Sequence, residues 1–405
     1  MFKLFTIFNE SEQRIPIKVW LEDPSQIEAD CLGQALNLSR LPFAFQQIAL
    51  MPDTHTGFGM PIGGVLATTG AVIPNAVGVD IGCGMCFAET GIYKGEISKI
   101  DLQNLVSQIM RDIPTGFQHH KKKQPCRSLD NFTQRLKDQH IYKTAELCEE
   151  IEKGYYQVGT LGGGNHFVEL QEDDSGKICI MLHSGSRNFG YRIAKYFNEL
   201  AKDLNTKWNS PVPSKYDLAY LPVDSAEGTG YLSWMELALE FAMENREKMM
   251  HVVMDDIRKL YPHITFENFV NAHHNYAAFE DHFGTQVVVH RKGAIRVRQG
   301  ELGIVPGAMG SYSYIVRGLG NPDSFYSCSH GAGRKMSRKK AMETIPVEKT
   351  ITDLKELGVI LGKSKKGNVS EESRFAYKDI DFVINQELDL IQPVKRLKTL
   401  AVIKG

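Results

Sequence analysis

Glycine-rich loops that carry a histidine, an aspartate or a cysteine recur along almost the whole chain. Several of them join directly to apolar runs, such as residues 178–182, which lead into His183 and a Ser-Gly-Ser sequence. Functional side chains often lie on loops at the ends of buried strands, and glycine lets the backbone turn tightly there. The 405 residues would suffice for two or three domains. The spread of these loops nevertheless favours one integrated catalytic body.

The stretch at residues 77–85 reads Val-Gly-Val-Asp-Ile-Gly-Cys-Gly-Met, with Asp80 three residues before Cys83. A thiolate is a soft metal ligand and a carboxylate is a hard one. A site with both suits a borderline divalent ion such as Mn, Co or Zn. The alternative is that Cys83 only packs in a buried turn. Further histidines in glycine-rich settings, His166 and His183, favour the metal site.

Two features leave their role open when only the residues are considered. Cys83 and Cys86 form a C-x-x-C pair, which fits a redox pair or half of a zinc site, although the chain has no second such pair. The apolar run 48–51 leads into a predicted turn that holds Asp53 and His55. These two residues fit a functional site and, equally well, a turn-capping carboxylate beside a solvated imidazole.

The periodicity of apolar residues predicts the secondary structure. Helices are predicted at 29–41, 99–113, 190–206 and 230–260, and strands at 15–21, 178–182, 286–290, 294–298 and 400–405. The basic run 118–127 is predicted to be a solvated surface, and a phosphate backbone is the ligand that would suit it.

Composition and the distribution of cysteines limit the classes of protein to which the chain can belong. The net charge is −1, so no global positive field points to a nucleic-acid partner, although local basic patches can bind one. The seven cysteines are scattered, the first residues lack the apolar core of a signal peptide, and no run approaches about 18 apolar residues. We therefore expect a reduced, cytoplasmic enzyme that does not contact the membrane.

A set of motifs occurs in a specific order: V-G-V-D-I-G-C-G-M, G-x-G-N-H-F, H-S-G-S-R, H-H-N-Y, P-G-x-M-G, S-H-G-A-G-R, A-Y-K-D and a terminal K-G. By these motifs the chain resembles the RtcB family of RNA-splicing ligases. The resemblance implies an α+β fold, with mainly antiparallel sheets flanked by helices around a central metal and nucleotide cleft. It also implies that residues 1–405 form a single catalytic domain.

The activity implied by the resemblance is the joining of an RNA 3′-phosphate or 2′,3′-cyclic phosphate to a 5′-hydroxyl, with GTP and two Mn²⁺ ions. His330 would attack the α-phosphate of GTP and release pyrophosphate. The RNA 3′-phosphate would then take the GMP, and the 5′-hydroxyl would displace it. A cyclic phosphate would first be opened by water. An archease-like protein is a candidate activating partner.

The resemblance also implies site residues. The metal ligands fall on Asp80, Cys83, His166, His183 and His274, with Cys83 bridging both ions, and His330 is the guanylylated histidine. The GTP contacts fall on Asn165, His166, Phe167, Val168, Glu169, His274, Asn275, Pro306, Gly307, Ala308, Met309, Ser313, His330, Gly331, Ala332, Gly333 and Lys404. RNA contacts are hypothesised at Asp53, His55, Arg187 and Arg334.

Three residues depart from the family pattern, and one of them is Cys86, which creates the C-x-x-C pair. Ala308 stands where serine is common, which removes a hydroxyl worth on the order of 1 kcal/mol of nucleotide binding, and Phe58 stands where tyrosine or lysine is usual. The main alternative function is a metal-dependent phosphoesterase that acts on RNA ends, which would not need His330. A second alternative is a non-catalytic protein that binds RNA ends, against which the complete metal set argues.

Overall fold

The chain forms ten helices and eighteen strands within residues 4–363 and 366–405, the part described by the computed structural model. The helices are α1 (Ala29–Ser39), α2 (Pro74–Val77), α3 (Lys99–Asp112), α4 (Arg127–Asp138), α5 (Ala145–Gln157), α6 (Arg187–Lys207), α7 (Ala226–Leu260), α8 (Arg338–Thr344), α9 (Val347–Glu356) and α10 (Ile380–Gln386). The first three residues, part of the segment without signal-peptide character, lie outside the described residues.

The strands are β1 (Phe5–Ile7), β2 (Ile17–Val19), β3 (Ala44–Phe58), β4 (Met60–Thr68), β5 (Ala71–Val72), β6 (Gly84–Tyr93), β7 (Phe167–Asp173), β8 (Lys177–Ser184), β9 (Leu221–Pro222), β10 (Phe266–His273), β11 (Asn275–His282), β12 (Thr285–Lys292), β13 (Ala294–Arg296), β14 (Leu302–Val305), β15 (Tyr312–Gly318), β16 (Ser327–Ser329), β17 (Ile360–Gly362) and β18 (Ile391–Lys404).

Two large sheets form the framework. A six-stranded sheet has the order β1-β2-β3-β4-β12-β11, and an eight-stranded sheet has the order β10-β6-β8-β7-β18-β15-β14 with β17 beside β18. The two parallel pairs in these sheets are β2 with β3 and β17 with β18, and the other pairs are antiparallel. The predicted α+β class with mainly antiparallel sheets is confirmed.

Both faces of each large sheet are buried, because apolar residues occupy successive positions of the central strands. In β8, Ile180 and Leu182 point into one core, whereas Cys179 and Met181 point into another. In β3, Ile48 and Leu50 likewise point into one core, and Ala49 and Met51 point into another. Helices therefore cover these sheets, and polar groups collect at the strand ends.

Helix α3 illustrates why the predicted helices form. Ser98 caps its first turn, since the Ser98 hydroxyl accepts from the backbone N–H of Asp101 and the Asp101 carboxylate accepts from the backbone N–H of Ser98. Leu102, Leu105 and Ile109 follow at helical spacing and are buried. The predicted helices at 29–41, 190–206 and 230–260 are likewise confirmed as α1, α6 and α7.

The structure corrects the prediction around residue 53. Asp53 and His55 lie inside the long strand β3, and the predicted turn comes later, at Gly59 between β3 and β4. The pairing of β3 with β4 is irregular between Leu50 and His55 and again between His55 and Phe58. This irregularity explains why no regular alternation is visible in the sequence there. Among the described helices, none is long and apolar enough to cross a lipid bilayer.

Candidate active site

Four candidate functional side chains lie together where four neighbouring strands of the eight-stranded sheet begin or end, along what we call one edge of this sheet. β6 begins directly after Cys83, β7 begins directly after His166, β8 ends one residue beyond His183, and β18 ends at Lys404. These strands are antiparallel neighbours in the order β6-β8-β7-β18, so the start of one lies beside the end of the next. The register pairs Gly84 with Ser184, Phe167 with His183 and Lys404 with Phe167.

His274 joins this edge to the other large sheet. It is the single residue between β10 and β11, which belong to different sheets. Its backbone N–H donates to the carbonyl of Cys83 at 2.8 Å, and its carbonyl accepts from the N–H of Gly293 at 2.9 Å. The site therefore lies where the two sheets meet.

Five side chains converge into two groups that share Cys83. Asp80, Cys83 and His166 form one group and Cys83, His183 and His274 the other, and the ligand atoms within each group lie within 4.8 Å of one another. The Cys83 thiol is 3.4 Å from His166 Nε2 and 3.2 Å from His183 Nε2. His183 Nε2 is 3.4 Å from His274 Nε2, and His166 Nε2 is 3.2 Å from Asp80 Oδ2.

The backbone is shaped so that Asp80 can reach this cluster. A Cβ at Gly185 would lie 2.3 Å from Asp80 Oδ1, so no larger residue fits there without moving the carboxylate. The N–H of Cys83 donates to the Asp80 carbonyl at 3.1 Å, which closes a tight turn. Glycine is thus required at residue 185 by the close approach of the Asp80 carboxylate.

Burial controls the protonation of the cluster. Burial holds the pKa values of His183 and His274 well below their usual range, so both imidazoles are neutral, as metal ligands must be. Nδ1 of His183 lies 3.2 Å from the Asn165 carbonyl and donates to it, so Nε2 carries the lone pair that faces the cluster. Burial, reinforced by Asp80, raises the pKa of the Cys83 thiol.

A second constellation joins His330 to Asp53. His330 follows β16, and its Nδ1 donates to Asp53 Oδ2 at 2.6 Å, while its backbone N–H donates to the same oxygen at 3.1 Å. The carboxylate is fully buried, and its other oxygen has no hydrogen-bond partner within the described residues. The centroids of the His330 and His274 rings are 4.9 Å apart. His330 therefore lies next to the cluster, with Nδ1 bonded to Asp53 and with no hydrogen-bond partner for Nε2 among the described residues.

A cavity of about 510 Å³ opens over both constellations. It is lined by most of the residues expected to contact GTP: Asn165, His166, Phe167, Glu169, His274, Asn275, Pro306, Gly307, Ala308, Met309, His330, Gly331, Ala332, Gly333 and Lys404. Among the expected RNA contacts, His55 and Arg334 also line it. A cavity of this volume is typical of small-molecule sites.

Other expected contacts are not on the cavity wall. Val168 and Ser313 are buried behind it, and the Ser313 hydroxyl accepts from the N–H of Gly307 at 3.2 Å. Asp53 lies behind His330, and Arg187 donates to the carbonyl of Gly116 and the hydroxyl of Thr160. The side chains of Ser313, Asp53 and Arg187 thus bind other parts of the protein. Ligand contacts by these three residues and by Val168 stay predictions.

Charged groups surround the far end of the cavity. Lys404 Nζ lies 3.5 Å from Glu372 Oε2 and 5.7 Å from the Phe167 ring centroid. Glu169 is buried two residues along β7 from Phe167, and it accepts from Gln171 Nε2 at 2.6 Å. Burial raises the pKa of Glu169 to about 7. The pocket thus offers both a carboxylate and an ammonium to a polar ligand.

Sequence reasoning missed two buried basic side chains, Arg246 and Lys292. Arg246 of α7 is fully buried and donates to the carbonyls of Gly82 and Ser184 at 2.8 Å and 3.0 Å, which holds the strand ends beside the cluster. Lys292 of β12 lines the cavity. Charged residues in an amphipathic helix or at a strand end normally indicate solvent exposure, so the sequence carries no signal for these roles.

The C-x-x-C pair does not act as a unit. Cys86 lies in β6 and packs in the core with Ala88 and Leu182, and burial raises its pKa to about 12. None of the seven cysteines, all within the described part of the chain, forms a disulfide. Packing is therefore the role of Cys86.

The chain is similar to a set of RNA ligases over almost its whole length. A family model described as tRNA-splicing ligase RtcB matches residues 34–405. The RNA-splicing ligase RtcB of Escherichia coli (strain K12) is 37% identical over 97% of this chain and 98% of that protein. The tRNA-splicing ligase RtcB of Nanoarchaeum equitans (strain Kin4-M) is 31% identical over 99% of this chain and 98% of its own length. The chain therefore belongs to the RtcB family of tRNA-splicing ligases.

Proposed function

We propose that the chain is a GTP- and Mn²⁺-dependent RNA ligase that joins a 3′-phosphate or 2′,3′-cyclic phosphate end to a 5′-hydroxyl end through a histidine–GMP intermediate. The observation that carries the proposal is the position of His330, with Nδ1 bonded to a buried carboxylate and its ring beside a cluster of metal-ligand side chains. An archease-like activator is part of the same proposal.

The donor set fits two divalent cations. Three imidazoles, a thiol and a carboxylate converge, and the ligand atoms within each group lie within 4.8 Å of one another. Asp80 and His166 would hold one ion, His183 and His274 the other, and Cys83 both. The mixture of soft and hard donors suits Mn²⁺, although Zn²⁺ binds such a site more tightly. When bound, the ions would offset the negative charge that develops on the phosphates.

His330 is equipped to act as a nucleophile toward a phosphate. Because Asp53 accepts the Nδ1 proton, the Nε2 lone pair is available for attack on the α-phosphate of GTP, and pyrophosphate leaves. The carboxylate also stabilises the positive charge that the imidazole acquires in the phosphoramidate-forming step. The 3′-phosphate oxygen then attacks the same phosphorus and frees His330, and the 5′-hydroxyl finally displaces GMP.

Glu169 and Lys404 supply the selectivity for guanine in this proposal. A carboxylate can accept from both the N1–H and the 2-amino group of guanine, whereas adenine offers neither donor at these positions. Both side chains line the cavity on adjacent strands, with Phe167 beside them as an apolar surface for the base. A hydrolase acting on RNA ends would have no use for this pocket.

The test is a guanylylation assay with GTP labelled at the α-phosphate. The parent chain, His330→Ala and the exposed-histidine control His251→Ala are incubated with Mn²⁺ and separated on a denaturing gel. We expect a labelled band in the parent and in His251→Ala, and none in His330→Ala. A band of equal intensity in His330→Ala would refute the assignment of the nucleophile.

A second assay separates the ligase from the phosphoesterase. RNA with a 3′-phosphate is mixed with RNA that carries a 5′-hydroxyl, in the presence of Mn²⁺ and with or without GTP. Joined product that requires GTP supports the proposal. GTP-independent release of phosphate, with no joined product and no labelled protein, would establish the phosphoesterase instead.

A further inference from the structure

The proposed nucleotide contacts leave one part of the cavity without an assigned ligand. We call this part of the cavity the second lobe. It is lined by residues of the six-stranded sheet and of the turn before Asp80, namely His55, Phe58, Ile62, Val79 and Lys292. The Cβ position of Gly293 lies 2.5 Å from Ile62 and 3.0 Å from the His330 ring, so the second lobe adjoins the nucleophile. An RNA end that takes GMP from His330 must approach through space that the nucleotide does not fill.

Phe58 is the most exposed of the large apolar side chains on this cavity wall. It ends β3 at the tip of the β3–β4 hairpin, and its side chain is 77% exposed. Val79 lies on the same lobe and is 51% exposed. Both side chains line the cavity that holds His330, so a ligand in that cavity can contact them. An aromatic ring in this position offers a flat surface of the kind that nucleobases stack on.

The backbone that carries this ring is held rigidly. Gln34 donates to the Gly57 carbonyl at 2.7 Å and accepts from the Gly57 N–H at 3.1 Å. Gly59 has φ +69°, and a Cβ there would lie 2.6 Å from the carbonyl oxygen of Asp217. A hairpin tip that is already ordered loses little conformational entropy when a ligand binds.

Lys292, at the end of β12, forms a hydrogen bond with the backbone of the hairpin tip. Its side-chain nitrogen is buried and donates to the carbonyl of Phe58 at 2.6 Å and to the carbonyl of Asn75 at 2.9 Å. Burial lowers the pKa of Lys292 to about 7, and the two hydrogen bonds satisfy the buried nitrogen. Lys292 thus ties the tip of the hairpin to α2, which begins the stretch that carries Asp80.

We propose that Phe58 is the stacking platform for the base of the 3′-terminal nucleotide of the RNA strand that accepts GMP. Stacking on an aromatic ring is nearly independent of base identity, which suits an enzyme that joins varied ends. Phe58 and His330 line the same cavity, so a nucleotide whose base stacks on Phe58 would have its 3′-phosphate in the cavity that holds the nucleophile. The inference rests on the proposed function, because it places a strand of its RNA substrate.

The experiment compares the parent with Phe58→Leu, Phe58→Trp and the control Phe279→Leu. Phe279 lies in β11 and is 51% exposed, and it is not on the cavity wall. The probe is a 3′-phosphate RNA with 2-aminopurine as its 3′-terminal base, whose fluorescence falls when it stacks. Binding is followed with Mn²⁺ and without GTP. KM for RNA in ligation and the rate of His330 guanylylation without RNA are measured alongside.

We expect Phe58→Leu to abolish the fluorescence decrease and to raise KM for RNA about tenfold, in line with the measured worth of one base–aromatic stack. Guanylylation should be unchanged, Phe58→Trp should restore both RNA readouts, and Phe279→Leu should match the parent. Unchanged RNA readouts in Phe58→Leu would overturn the inference. It would also be overturned if only a probe at the 5′-hydroxyl end responded. Failure of the parent to guanylylate would overturn the proposed function, while the fluorescence arm would still decide whether Phe58 stacks RNA.

Discussion

At the scale of single residues, Asp53 determines which nitrogen of His330 can react. Its carboxylate accepts from Nδ1 at 2.6 Å and has no exposed surface, so water cannot replace it. The Asp53→Asn variant keeps the shape but presents an amide, which can favour the wrong tautomer. We expect single-turnover guanylylation to slow by on the order of 10² or more, while Mn²⁺-dependent GTP binding stays within a factor of about two to three. An unchanged rate would mean that Asp53 has only a structural role.

Cys83 is the one side chain common to both metal-ligand groups. Its replacement should therefore affect both ions, whereas loss of His274 should affect one. We expect equilibrium dialysis with Mn²⁺ to give about two ions per chain for the parent, about one for His274→Ala and fewer than one for Cys83→Ala. Cys86→Ala is the matched control, because Cys86 packs in the core away from the cluster. Two bound ions in Cys83→Ala would exclude a bridging thiolate.

At the scale of secondary-structure elements, the sequence predicted the helices and strands whose apolar residues recur at regular spacing. The buried stripe of α7, with Trp234, Phe241 and Val253, is visible in the sequence because helical spacing persists along a helix of 35 residues. β10 was not predicted, because most of its residues are exposed or half-buried and do not alternate. Only the last third of β18 was predicted, since its first residues are polar. The site residues followed from motifs, whereas Arg246 could not, because only tertiary packing buries it.

The β11–β12 hairpin contains a buried ion pair that should make its stability depend on pH. Arg291 donates to both carboxylate oxygens of Glu280, and both side chains are almost fully buried. Burial alone would raise the pKa of Glu280, but the Arg291 charge and a hydrogen bond with His282 outweigh it and lower the pKa to about 2. Because the folded value lies below the unfolded value near 4.5, the stabilisation is complete above about pH 4.5 and is lost as pH falls through about 2.

The Glu280→Gln variant should remove this part of the pH dependence. It leaves the Arg291 guanidinium buried without a counter-charge, so we expect the free energy of unfolding at pH 7 to fall by about 3–5 kcal/mol. Urea titrations of parent and variant between pH 2.5 and 7 measure both effects. Glu301→Gln breaks the half-exposed pair with Arg296 and should cost no more than about 1 kcal/mol. If both variants cost the same, burial does not govern the strength of these pairs.

At the scale of the whole molecule, the hydrophobic cores are connected by shared elements. The first half of α7 packs in one core through Trp234 and Phe241, and its second half packs in another through Met249 and Val253. The eight-stranded sheet separates two cores, and the metal-ligand groups draw on both large sheets through His274. Chains of this length commonly divide into domains, but here a division would cut through α7, the sheet and the site.

We therefore expect the chain to unfold as one cooperative unit, as the sequence analysis proposed for residues 1–405. Differential scanning calorimetry should give a single heat-absorption peak. Mn²⁺ at about 100 times its dissociation constant should move the whole peak upward, because binding to the folded state alone adds about 2.7 kcal/mol of stability. Cys83→Ala should give a single peak that the same Mn²⁺ concentration moves less than it moves the parent's peak. Two peaks, of which only one responds to Mn²⁺, would mean that the metal cluster belongs to a domain that folds independently of the rest.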